Sequence, residues 1–109
     1  MVKKKEKIDS FSDFIMDQLA AMPALTSRAM FGGRGLYSEE VFFGIIFKGR
    51  LYFKTSEMSR GAYLELGSKP FKPNEKQTLK NYYEVPVEVF ESSKELTKWA
   101  EKALKAVTL

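Results

Sequence analysis

Ser27 to Thr55 reads SRAMFGGRGLYSEEVFFGIIFKGRLYFKT, and it constrains the chain more than any other stretch. Its apolar runs are broken at Gly32-Gly33, Glu39-Glu40 and Lys48-Gly49, as in an antiparallel meander. Val41-Phe42-Phe43-Gly44-Ile45-Ile46-Phe47 is apolar on both sides of the pleat, which suits a central strand. Arg50-Leu51-Tyr52-Phe53-Lys54 alternates, so Leu51 and Phe53 share one face while Arg50, Tyr52 and Lys54 share the other.

The turn at Lys48-Gly49 sets which residues of the central strand face the core. A two-residue type I′ turn asks Lys48 for a positive φ, which Asn or Asp tolerates better. A three-residue loop, Phe47-Lys48-Gly49 with Gly49 left-handed, avoids that strain and is the preferred reading. It places Phe43, Ile45, Leu51 and Phe53 on the core face, with Phe42, Gly44, Ile46, Arg50, Tyr52 and Lys54 on the reverse. The other register moves Phe43, Ile45 and Phe47 to the reverse face. In either register that face is too apolar to be simply wet.

The flanking segments read mainly as helix. Ser10 can cap a helix over Phe11 to Met22, with Phe11, Phe14, Ile15, Leu19 and Met22 as its buried stripe and Pro23 as its end. Arg28 to Phe31 and Gly35 to Ser38 read as the first two strands. Ser56 can cap a short helix through Leu66, closed by Gly67. Gln77 to Val85 is the last strand, with the segment around Phe71 a candidate partner for it. Pro86 opens a short helix over Val87 to Glu91. Ser92-x-x-Glu95 is a capping box for a final helix with Leu96, Trp99, Ala100, Ala103, Leu104 and Val107 inward. Phe14 and Trp99, mid-stripe, are both expected in the core. The fold class is therefore α+β: an antiparallel sheet of about five strands with helices packed on one side, in α-β-β-β-α-β-β-α order.

Charge and composition narrow the function. The net charge is +4, but Lys3-Lys4-Lys5-Glu6-Lys7 supplies three of those four charges. Residues 1–8 read as a disordered basic leader and residues 9–109 as a single domain. A nucleic-acid binder would carry its excess charge on the folded surface. Here weak, nonspecific contact through the lysine leader is the expectation. Without Cys there is no disulfide framework or thiolate metal site, and without His no imidazole base or ligand. No Ser-x-x-Lys occurs, and the paired carboxylates (Asp13 with Asp17, Glu39 with Glu40, Glu91 with Glu95) suit solvated faces and turns. Gly32-Gly33-Arg34-Gly35 has neither phosphate-loop spacing and joins strand to strand. No catalytic residue, metal ligand or cofactor motif is identified, so the chain is not expected to be an enzyme. Nothing resembles a signal peptide or a membrane span, so a cytoplasmic location is expected.

Several blocks then carry a resemblance. Arg28-Ala-Met-Phe-Gly-Gly-Arg-Gly-Leu-Tyr37, Phe42-Phe-Gly-Ile-Ile46, Gly49-Arg-Leu-Tyr-Phe-Lys54, Tyr82-Tyr-Glu-Val-Pro86 and Leu96-x-x-Trp99-Ala100 resemble, in that order, the N-terminal domain of the TfoX/Sxy family. The resemblance runs from about Phe11 to Ala106. It implies an α+β domain shaped like type III secretion chaperones, and kinship with bacterial regulators of DNA-uptake competence that assist the cyclic-AMP receptor protein at promoters. Glu40 stands where the family often has glycine, and the second, helical domain of full competence regulators does not follow Leu109 here. The resemblance brings no catalytic residues with it.

Two functional classes follow. One is a transcription-associated protein-interaction module that uses the reverse sheet face to dock on a protein or to form a homodimer. The other is a direct nucleic-acid binder using the basic and aromatic residues of the sheet. The candidate partner-binding residues are Arg28, Arg34, Phe42, Ile46, Arg50, Tyr52 and Lys54. A single exposed basic stripe among them would favour nucleic acid; burial among apolar neighbours would favour a protein.

Overall fold

A computed structural model of the chain describes residues 2–30 and 32–108, with side chains from Ser10 onward. The helices are α1 (Val2–Gln18), α2 (Glu57–Glu65), α3 (Val87–Phe90) and α4 (Ser93–Thr108). The strands are β1 (Leu25–Met30), β2 (Gly33–Ser38), β3 (Val41–Phe47), β4 (Arg50–Lys54), β5 (Pro70–Asn74) and β6 (Gln77–Glu84). Among the described residues the six strands form one antiparallel sheet in the order β1-β2-β3-β4-β6-β5. The α+β class and one-sided helices agree with the sequence reading, but the expected α-β-β-β-α-β-β-α order is corrected: four strands precede α2, the segment around Phe71 pairs with β6, and the short α3 precedes α4, giving six strands.

The expected bounds of the first helix are corrected. α1 ends at Gln18, four residues before Met22, and Ser10 lies inside it rather than capping it. Leu19 and Met22 still reach the core, each from a turn beyond the helix, where Met22 N–H donates to the Leu19 carbonyl at 2.8 Å. The side chains of the lysine run lie outside the described residues. β1 starts at Leu25, earlier than Arg28, and Phe31 lies outside the described residues.

The β3–β4 turn overturns the preferred register. Phe47 pairs with Arg50 and Ile46 with Leu51, which leaves only Lys48-Gly49 in the loop. Lys48 has φ 51° and Gly49 φ 74°, the double left-handed geometry of a type I′ turn. The twist of the flanking strands favours that turn strongly enough to hold a lysine in a region lysine disfavours. Ile46, expected on the reverse face, therefore enters the main core at 4% exposure, and Ile45 takes the reverse face. Phe43 departs from the simple alternation as well. Leu36 pairs with Gly44 and Tyr37 with Phe42, so Phe43 is the extra residue of a β-bulge. The bulge shifts the strand phase and puts Phe43 in the main core, its ring 5.6 Å from Phe53. Gly44 keeps that arrangement open, since a Cβ there would stand 3.0 Å from the Phe53 ring and 3.1 Å from the Tyr52 carbonyl oxygen.

The main core lies between this sheet face and the helices: Ile15, Leu19, Leu36, Phe43, Leu51, Phe53, Leu96 and Ala100 are fully buried. α4 lies across β3 and β4 with Leu96, Ala100 and Ala103 inward, as the periodicity predicts, and Trp99 beside them at the edge. Its start is the expected one, with Glu95 N–H donating to Ser92 Oγ at 3.2 Å, but the expected box is only half formed: Ser92 N–H donates to the Val89 carbonyl and the Glu95 carboxylate turns to Lys98. α2 also matches: Ser56 and Ser59 form a capping box, and Gly67 closes the helix at φ 76°. Two expectations are corrected: Trp99, expected in the core, is only partly buried, and Phe14 departs further. It is 40% exposed and only edges onto Phe90, because α1 turns Ile15 and Ser12 inward instead.

Candidate interaction face

The reverse face of the sheet carries a second, smaller cluster to which, among the described residues, no helix contributes. Ile45, Tyr52 and Phe71 are its buried centre, with Phe42, Phe47, Leu79 and Tyr82 packed around them. The cover is the β5–β6 hairpin. Register shifts on both sides of Phe71 bend that hairpin over the sheet, so that Phe71 meets Tyr52 at 4.6 Å and Phe47 at 5.3 Å between ring centroids. Among the described residues, none from the first or the middle helix belongs to that cluster.

Beyond Phe71 an aromatic row remains half-buried. Tyr37 on β2 lies 5.3 Å from Phe42 on β3, and Phe42 lies 5.8 Å from Tyr82 on β6, both pairs tilted by about 35°. A cation sits at each end. The Arg28 guanidinium stands 4.5 Å over the Tyr37 ring, and the Lys54 ammonium 5.8 Å from the Tyr82 ring. Between them Gly35, paired with Arg28 across β1–β2, has no side chain to interrupt the row, and Met30 and the Tyr37 and Phe42 rings close over it. The Tyr82 phenol is pushed above the usual tyrosine range by burial and then by the neighbouring Tyr37 phenol.

The seven candidate residues do not form one group. Arg28, Phe42 and Lys54 belong to this row. Tyr52 shares the face but is 8% exposed under Phe71, and burial followed by the nearby Glu84 carboxylate raises its phenol. Arg50 is exposed, but it donates to Glu84 at 2.8 Å, and that hydrogen bond raises its already high pKa further. Arg34 points to the helix side, where its Nε donates to Ser27 Oγ at 3.0 Å and it shares a recess with Phe11, Ser12 and Lys48. Ile46 is core. The single exposed basic stripe that would mark a nucleic-acid surface does not form.

Tyr37, Tyr82 and Phe71 were not singled out by sequence reasoning. Tyr37 was findable, since it alternates with Gly35 and so shares the face of Phe42 once β2 pairs with β3. Tyr82 and Phe71 join only through the β4–β6 pairing and the bend of the last hairpin, which have no local signal. Chemically, the row offers ring faces, two phenol hydroxyls and two flanking cations: apolar contact at its centre and carboxylate recognition at its ends. Among the described residues, no group of three or more His, Cys, Asp or Glu is placed to hold a metal.

A family model described as the TfoX N-terminal domain matches residues 17–107. The chain belongs to the TfoX N-terminal domain family. Its match begins near the end of α1 and runs through every strand into the last turns of α4. Among curated relatives, the DNA transformation protein TfoX1 of Aliivibrio fischeri is 39% identical over 66 residues. That alignment covers 59% of this chain and 31% of the relative. The chain thus matches under a third of that relative's length. Among the described residues, no helix of this domain is long and apolar enough to cross a membrane.

Proposed function

We propose that this TfoX N-terminal domain is a non-enzymatic, cytoplasmic interaction module that takes part in regulating DNA transformation through protein contacts, as a transcription-associated factor. The observation that supports it is the Tyr37–Phe42–Tyr82 row, half-exposed on the helix-free face and flanked by Arg28 and Lys54. An apolar aromatic centre with a cationic rim has the composition of protein–protein hot regions. Direct nucleic-acid binding is the weaker reading on this face. Arg50 is neutralised by Glu84, Arg34 lies on the opposite side, and the rings pack on one another instead of standing free for bases. The regulatory context comes from the DNA transformation protein it resembles, and the lack of His and Cys in the sequence is consistent with a non-catalytic role.

A second copy of the chain is the simplest protein partner for this row, since an isologous contact pairs one such row with itself. The test uses the full chain beside Phe42→Glu. Sedimentation should show wild-type self-association that the variant loses, and capture from native lysate should retain a wild-type partner after nuclease treatment. A wild type that stays monomeric would remove the homodimer. Binding abolished by nuclease in the wild type would hand the face to nucleic acid.

A further inference from the structure

On the helix side of the sheet, α2 and α4 line a groove that shares only Lys54, at its sheet end, with the aromatic row of the other face. Met58, Ser59, Ala62 and Tyr63 of α2 face Trp99, Lys102, Ala103 and Ala106 of α4, with Lys54 at the sheet end and Lys105 at the outer end. These positions follow from helical spacing: 58, 59, 62 and 63 share one face of α2, and 99, 102, 103 and 106 one face of α4. The outer half encloses about 300 Å³. Its floor is apolar and specific. Trp99 stands edge-on to the buried Tyr63 at 4.7 Å, and Ala103 is buried beneath them. Met58 is 90% exposed, a large flexible apolar side chain left standing in solvent at the mouth.

The rim has one sign. Among the described residues, Lys54, Lys102 and Lys105 line the groove and no carboxylate does. Glu57 and Glu101 lie on these helices but do not line it, and Glu95 is turned to Lys98 at 3.7 Å. The N-terminus of α2, with the positive end of its dipole, opens at the same end as Ser56 and Lys105.

We propose that the α2–α4 groove docks an acidic amphipathic helix of a partner protein. Apolar residues at i, i+3, i+4 and i+7 of that helix would meet Met58, Trp99 and the alanines, while its carboxylates meet the three lysines. The rim charge selects this occupant. A second copy of this chain would bring net positive charge, and α4 itself carries Lys94, Lys98, Lys102 and Lys105, against a lysine rim. Nucleic acid could use the lysines but not the recessed apolar floor.

Trp99 is the sole tryptophan of the sequence and lines the groove, so its fluorescence reports occupancy directly. The probe is a synthetic peptide of about four helical turns with Leu at amphipathic spacing and Glu elsewhere. It is compared with a sequence-scrambled peptide of the same composition and with a Lys-for-Glu analogue. The expected result is a saturable Trp99 shift with the acidic amphipathic peptide alone. It should weaken about tenfold in the Lys102→Glu/Lys105→Glu double variant, in Met58→Asp, and on raising salt. Both sets of substitutions fall on exposed positions and leave the core intact. Phe42→Glu should leave the titration unchanged, which keeps this site separable from the sheet face. No saturable shift, equal binding of the scrambled or lysine peptide, or an unweakened double variant would overturn the proposal.

Discussion

Phe71 is fully buried against Tyr52, ring centroids 4.6 Å apart, on the sheet face opposite the main core. The molecule therefore has two cores. One is built by helices on a sheet, and the other by the sheet's own last hairpin folding back on its outer face. That fold-back narrows the exposed part of the outer face to the Tyr37–Phe42–Tyr82 row.

Phe71→Ala should be among the most destabilising substitutions on that face, by about 3–5 kcal/mol, because it removes the cover of Ile45 and Tyr52 and leaves a cavity. Urea denaturation measures it. A loss below about 1 kcal/mol would mean that the hairpin does not close the face.

Along α1, neighbouring residues should behave oppositely. Ile15→Ala, at a fully buried position, should cost about 2–5 kcal/mol. Phe14→Ala should cost no more than about 1 kcal/mol, since Phe14 is 40% exposed and its ring contact is a 6.2 Å edge onto Phe90. Equal losses in parallel melts would contradict the orientation of the helix.

Turn strain gives a prediction of the other sign. Lys48→Asn converts Lys48-Gly49 to the Asn-Gly pair that type I′ turns prefer, and should stabilise by about 0.5–1 kcal/mol. Gly49→Ala meets no steric contact within 4 Å but still places a Cβ at φ 74°, and should destabilise by about 1–2 kcal/mol. If thermal melts show Lys48→Asn neutral or worse, the two-residue turn is not the one the protein uses.

Alkaline pH should separate the tyrosines. Tyr52, Tyr63 and Tyr82 all have phenols held above the usual range, chiefly by burial, with Tyr63 raised most. The folded pKa exceeds the unfolded value of about 10, so the folded state favours the neutral phenol. The corresponding stability is fully present below about pH 10 and is lost as pH rises through the folded values. Tyrosinate absorbance should therefore show part of the tyrosine titrating late in the native protein, merging with the rest at the unfolding transition. All five tyrosines titrating together near the free value, without unfolding, would contradict the burial.

Much of the fold was legible from local rules. The Ser56 cap of α2 and its Gly67 stop, the Ser92 cap and the inward Leu96, Ala100 and Ala103 of α4 depend on residues within a turn or two of one another, and each appears where the sequence puts it. So does the meander, whose turns fall at Glu39-Glu40 and Lys48-Gly49, and the family resemblance is met by a match over residues 17–107. Phase was not legible. A strand repeats every two residues, so one residue more or less in a turn, or one bulge, exchanges its faces. Ile46 and Ile45 exchanged faces because a type I′ turn outweighed the local preference of Lys48, while Phe43 kept its expected core place only through a bulge. Which residues share the outer face depended on something more distant still. β6 pairs with β4 across the whole of α2 and β5, bringing Tyr82 beside Phe42, and the bent β5 carries Phe71 onto Tyr52. Residue chemistry along the chain determines which segments become helix and strand. Only the long-range pairing and curvature of the sheet determine which aromatic rings meet, because those contacts are made between segments that have no preference for each other until the core has formed.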